Sequence, residues 1–142
     1  METQEIVTQL KTKLASGVSL AVNFADGQGN AEFFGRGIKP LLNSVICAAP
    51  LLEKAVCADK VVGKAAALLF VYAKVSFVYA ETISDPALKV FKFYKVPHET
   101  VKLVPYIQNR EGTGQCPMEA LCADTIDPEA ALQRLSTAVY PK

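Results

Sequence analysis

The sequence predicts a single α/β domain with a mixed five-stranded sheet and helices on both faces. Three observations carry this reading. The elements follow the order α-β-β-α-β-α-β-α-β-α-α, a hairpin followed by βα units, and such units lay parallel strands under covering helices. The strands Val56–Ala58 and Ser76–Thr82 are apolar almost throughout, as strands buried on two faces must be. At 142 residues, with 51% hydrophobic and 20% charged, the chain is long enough and apolar enough for one core.

Each element has a local cause. Ile6, Val7, Leu10 and Leu14 recur at helical spacing, so residues 3–15 form an amphipathic helix that Ser16-Gly17 ends. Residues 19–25 and 31–35 are strands joined by Asp26-Gly27-Gln28-Gly29-Asn30, whose Gly and Asn residues tolerate positive φ. A helix runs from Gly37 to about Cys47 with Pro40 in its first turn. It breaks at Ala48-Ala49-Pro50 before a short helical piece at residues 51–55. Residues 56–58 are a short strand, and residues 61–72 a buried helix rich in Ala and Leu. After the strand at 76–82, Ser84-Asp85-Pro86 starts a helix to about Tyr94 with Ser84 as N-cap. His98 lies on an exposed loop after Pro97, residues 101–104 form the last strand, and 105–115 a further loop. Helices at about 116–123 and from Asp127 to about Ala138 complete the chain.

Composition excludes several classes. Fifteen basic against 14 acidic residues give a net charge of +1, so no bulk field draws the chain to nucleic acid or an anionic membrane. The apolar window 65–80 is shorter than a membrane span and holds Lys74. The N-terminus lacks the apolar run of a signal peptide, so the expected location is cytoplasmic. Cys47, Cys57, Cys116 and Cys122 are expected to be free, buried thiols. A single histidine, His98, excludes any site that needs two imidazoles.

Residues 35–42 (GRGIKPLL), 58–69 (ADKVVGKAAALL), 78–84 (VYAETIS) and 109–119 (NREGTGQCPME) together resemble the microbial family known as domain of unknown function 1893. The resemblance covers roughly residues 18–135. It implies a cytidine-deaminase-like fold, a three-layer α/β/α sandwich on a five-stranded sheet. Such folds commonly assemble as oligomers, so the apolar excess fits a subunit interface. A zinc deaminase needs a His or Cys with Glu at one helix start and Pro-Cys-x-x-Cys at the next. The corresponding starts here, Arg36-Gly37-Ile38 and residues 59–64, carry none of these. Cys116-Pro117 has the reverse order, and Cys122 lies six residues on. No zinc and no other cofactor is expected.

Three segments place polar residues where strands give way to helices. Asp59, Lys60, Gly63 and Lys64 form the first. Lys64, if desolvated, is a candidate nucleophile or phosphate partner, Asp59 and Lys60 are ligand contacts, and Gly63 leaves room for a close approach. The plainer reading has solvated lysines and Asp59 as a helix cap. Asn109, Arg110, Cys116 and Glu119 form the second. Arg110 offers an anion-binding fork and Glu119 a cap or general acid/base. Cys116 is a thiol at a helix start, though a small buried residue is its plainer role. Arg36 with Lys39 forms the third, and Ser84 stands at another strand end, chiefly as a cap. Tyr79, Phe34 and Tyr106 are candidates for an aromatic wall. Convergence of these turns on one sheet edge predicts a site for a small nucleotide-like or phosphorylated ligand. The competing reading is a non-catalytic regulatory or oligomerisation domain.

Overall fold

The computed structural model describes residues 2–35, 37–109 and 111–141. The elements are α1 (Thr3–Ala15), β1 (Leu20–Asn23), β2 (Asn30–Phe33), α2 (Lys39–Leu52), β3 (Val56–Val62), α3 (Lys64–Ala73), β4 (Phe77–Ser84), α4 (Asp85–Phe93), β5 (His98–Val104), α5 (Pro117–Leu121) and α6 (Pro128–Val139). A short 3-10 turn at Ala25–Gly27 makes the bend between β1 and β2. The order of elements is the one the sequence predicts.

The strands form one sheet in the order β2-β1-β3-β4-β5. β1 runs antiparallel to both β2 and β3, whereas β3, β4 and β5 are mutually parallel. Alternation along each strand divides the core in two. Ala21, Val56, Ala58 and Tyr79 face α1 and pack on its Val7, Leu10 and Leu14. Leu20, Val22, Cys57, Val78 and Ala80 face the other way, into a larger cluster with α2, α3, α4 and α6. The helix α3 lies at the centre of that layer. Its Leu68, Leu69 and Phe70 are fully buried, and each such side chain contributes about 1.5–3 kcal/mol of transfer free energy. Phe70 also meets Phe91 of α4 with ring centroids 6.4 Å apart. The apolar window is thus a buried helix feeding a buried strand. Lys74, which interrupts it, ends α3 in the left-handed conformation at φ 61°. Among the described residues, no helix is long and apolar enough to cross a membrane.

Some boundaries differ from the sequence reading. β3 continues through Lys60 to Val62, because Val61 and Val62 pair with Thr82 and Ile83 of β4. β-branched residues suit that pleated position. Asp59 and Lys60 therefore stand on a strand and not at a helix start, and Gly63 is the N-cap residue of α3. β5 begins at His98, which is half-buried rather than in an exposed loop and lies with its ring 5.4 Å from Phe91. The break near Pro50 is a kink inside α2, with Ala48 at φ −148° and ψ 35°. Proline lacks the N–H that would continue the ladder. All four cysteines are free, as expected, but only Cys57 and Cys122 are buried; Cys116 is half-buried and Cys47 exposed.

Candidate functional site

The parallel strands β3, β4 and β5 end together at Val62, Ser84 and Val104. Carboxyl ends of parallel strands are where open α/β sheets bind ligands. At this edge a cleft of about 870 Å³ opens between the N-terminal end of α2, the end of β3 with the start of α3, and the segment 107–119. Asp59, Lys60, Gly63, Asn109, Cys116 and Glu119 line it, together with Lys39, Gln108 and Glu111.

Glu119 organises the edge. It sits in the first turn of α5, is 2% exposed, and accepts hydrogen bonds on both carboxylate oxygens. Oε2 takes the Ser84 hydroxyl at 2.5 Å and the Lys64 backbone N–H at 2.8 Å. Oε1 takes the Ile107 backbone N–H at 2.8 Å and the Gln115 side-chain amide at 3.3 Å. One side chain thus ties α3, the start of α4 and the loop after β5. The anion that a helix N-terminus attracts is here supplied internally to α3.

This changes the roles of three predicted residues. A Cβ at Gly63 would stand 3.0 Å from Glu119 Oε2 and from Ile107 Cγ1, so the room left by glycine is taken by the protein's own side chains. Ser84 is fully buried; it caps α4 by accepting the Ala87 N–H at 3.2 Å, and it reaches Glu119 behind the cleft. Lys64 does not line the cleft, and its ammonium donates to the Ala123 carbonyl at 2.8 Å. Arg36 and Arg110 lie outside the described residues.

The loop braces itself. Asn109 accepts from Thr113 N at 3.0 Å and donates from its amide to Thr113 Oγ1 at 3.1 Å. Gln108 bridges to Gln115, and the Cys116 N–H donates to the Ile107 carbonyl at 2.6 Å. Among the described residues, no aromatic wall lines the cleft. Tyr79 lies in the α1 layer with Lys11 Nζ 4.8 Å above its ring, and neither Phe34 nor Tyr106 lines the cleft. Sequence reasoning missed Ser19, Ile107, Gln108 and Val139 as lining residues. Nothing in their residue types marks them, because β1 register, loop path and helix packing bring them there.

Asp59 contrasts with Glu119. It is half-buried, and its Oδ1 receives a long 3.4 Å hydrogen bond from the Val61 N–H. Burial pushes its pKa up to about 7, while the Val61 and Lys60 amides offset part of that rise. The buried Cys57 thiol is also pushed well up, by burial and then by the nearby Asp59 charge. Among the described residues, no three His, Cys, Asp or Glu side chains group as a metal would require.

The profile of the family described as a domain of unknown function (DUF1893) matches residues 9–138. The chain belongs to the DUF1893 family. A crystal structure of a DUF1893 family protein from Thermotoga maritima, TM1506, is similar to this DUF1893 chain with a TM-score of 0.86. Identity is 27%, covering 97% of this chain and 92% of that one. No curated protein matches the sequence significantly.

Proposed function

We propose that this DUF1893 domain binds a small nucleotide-like or phosphorylated molecule in the cleft at the carboxyl edge of β3–β5. The observation that carries the reading is the cleft itself. About 870 Å³ is room for a nucleotide-sized molecule, and the lining mixes an apolar floor with a few polar groups, as small-molecule sites do. Lys39 and Lys60 supply cations at the rim, and the backbone at the start of α2 adds N–H groups. The strand order β2-β1-β3-β4-β5 supports a cytidine-deaminase-like sandwich. The residues do not fit that fold's zinc. The starts of α2 and α3 read Lys39-Pro40-Leu41 and Lys64-Ala65-Ala66, with no His, Cys or carboxylate among them. Binding is favoured over a reaction centred on Lys64, whose amine is committed to Ala123. Four free thiols fit a reducing, cytoplasmic setting.

The test is a thermal-shift series with nucleoside monophosphates and ribose 5-phosphate. A ligand at about a hundred times its Kd adds about 2.7 kcal/mol, which raises the melting point by about 5 °C or more. Lys60→Ala should at least halve that shift. Unchanged melting with every phosphorylated compound overturns the reading.

A second reading, an oligomerisation domain, has its own observation. On the edge strand β5, Val101 is 72% exposed and Leu103 53% exposed. Both lie on the face of Glu99, which pairs with Lys11 beyond the cover of α1. Light scattering tests it: a dimer that Val101→Lys converts to a monomer supports this reading, and a monomeric wild type removes it.

A further inference from the structure

Asp59 is a half-buried cleft carboxyl whose protein donors are backbone N–H groups alone among the described residues. Its register partners are Leu20 on β1 and Ala80 on β4, so neither residue directly opposite offers a cation or a donor side chain. No ion pair among the described residues includes it. The charged and titratable groups that line the cleft around it are Lys60 on the same strand, Lys39 of α2, Glu111 and Cys116 of the following loop, and Glu119 of α5. Cys57 lies beneath it on β3. Arg36 and Arg110 adjoin this region in sequence and lie outside the described residues. Glu119 is saturated by four donors, whereas Asp59 is met only by the backbone amides of Val61, at 3.4 Å, and Lys60. A cleft carboxyl met only by backbone amides has capacity left for hydrogen bonds with a ligand.

We propose that Asp59 recognises a nitrogen-bearing ring edge, an amino N–H beside a ring nitrogen lone pair, as aminopyrimidine and aminopurine bases present. This rests on the cleft being the ligand site proposed above. A protonated carboxyl has the complementary pattern: its O–H donates to the ring nitrogen and its C=O accepts from the amino group. Burial, which favours the neutral carboxyl, makes that form available near neutral pH. A base with a carbonyl beside a ring N–H presents the reverse order, which a carboxyl in this orientation pairs less well. Lys39 and Lys60 at the rim are left for the phosphate.

The test is calorimetric titration with cytidine, uridine and adenosine monophosphates and with ribose 5-phosphate. Ribose 5-phosphate carries the same titrating phosphate, so its profile is the blank. For the wild type, cytidine and adenosine monophosphates should bind about tenfold tighter than ribose 5-phosphate or uridine monophosphate, the effect of one good hydrogen-bonded pair. That advantage should shrink between about pH 6 and pH 8 as the carboxyl ionises. Asp59→Asn keeps one donor and one acceptor and should keep the advantage while removing its pH dependence. Asp59→Ala should abolish the advantage at every pH and leave ribose 5-phosphate binding intact. If cytidine monophosphate follows ribose 5-phosphate at all pH values, or Asp59→Ala preserves the difference, the Asp59 inference fails and the cleft reading stands. If no phosphorylated probe binds, the cleft reading fails and takes the inference with it.

Discussion

Asp59 and Glu119 line one cleft with opposite surroundings, and each predicts a different variant behaviour. Because the fold raises the Asp59 pKa from its ordinary value to about 7, the native state holds this proton more tightly than the unfolded chain does. The associated stability is complete below the unfolded carboxyl pKa of about 3.9 and is lost as the pH rises through about 7. Asp59→Asn should therefore match the wild type at about pH 4 and exceed it at about pH 8. The gain is on the order of 2 kcal/mol, below the full linkage value because the carboxyl is partly wetted. Urea denaturation at the two pH values checks this, and a constant difference between the proteins would refute it. Glu119→Gln keeps the size but turns an amide N–H₂ toward donors. The backbone N–H groups of Lys64 and Ile107 cannot both be satisfied by the one remaining oxygen. The expected loss is about 2–3 kcal/mol, read from the denaturation midpoint at constant slope. A loss below about 0.5 kcal/mol would show that Glu119 does not hold the edge together.

The link between β3 and α3 shows what a strand-to-helix junction stores and what sequence reveals of it. Gly63 has an unstrained backbone, so its requirement for glycine comes wholly from the side chains crowding it. Gly63→Ala must displace Glu119 Oε2 and Ile107 Cγ1, and should cost about 1–3 kcal/mol as overpacking does. Combined with Glu119→Ala, which vacates part of that space, the second change should cost measurably less than alone, and strict additivity would refute the contact. The order of all eleven elements, the Ser84 and Asp127 caps and the buried helix are legible in the sequence, because periodicity and cap chemistry are local. The end of β3 is not. Val61 and Val62 sit beside an alanine-rich run that reads as helix, and only pairing with Thr82 and Ile83 decides for strand. The same holds for the site. Asp59, Lys60 and Glu119 are marked by residue type, but the direction of the Lys64 amine toward Ala123 depends on where α5 and α6 pack. The partner of Gly63, likewise, lies 56 positions away in the chain at Glu119.

At the scale of the whole molecule, the two sides of the sheet are unequal. One side is covered by α1 alone, through Val7, Leu10, Leu14 and the flanking ion pairs Lys11–Glu99 and Lys13–Glu32. The other is covered by α2, α3, α4 and α6 around a much larger cluster. The cleft is built without α1: its walls come from α2, β3, α3 and the segment after β5, with Ser19, Leu20 of β1 and Val139 of α6 at the margin. Local openings follow the least-buried cooperative unit, so α1 should detach at a lower free energy than the layer that forms the site. Native-state amide exchange should therefore show weaker protection over residues 3–15 than over residues 64–73. Leu10 is 2% exposed against β1 and β3, and Leu10→Ala should cost about 2–4 kcal/mol by leaving a cavity there. That variant should lower protection in α1 first while leaving ligand-induced stabilisation of the α3 amides in place. Equal protection of α1 and α3 in the wild type would show instead that both layers unfold as one unit, with the site dependent on the helix across the sheet.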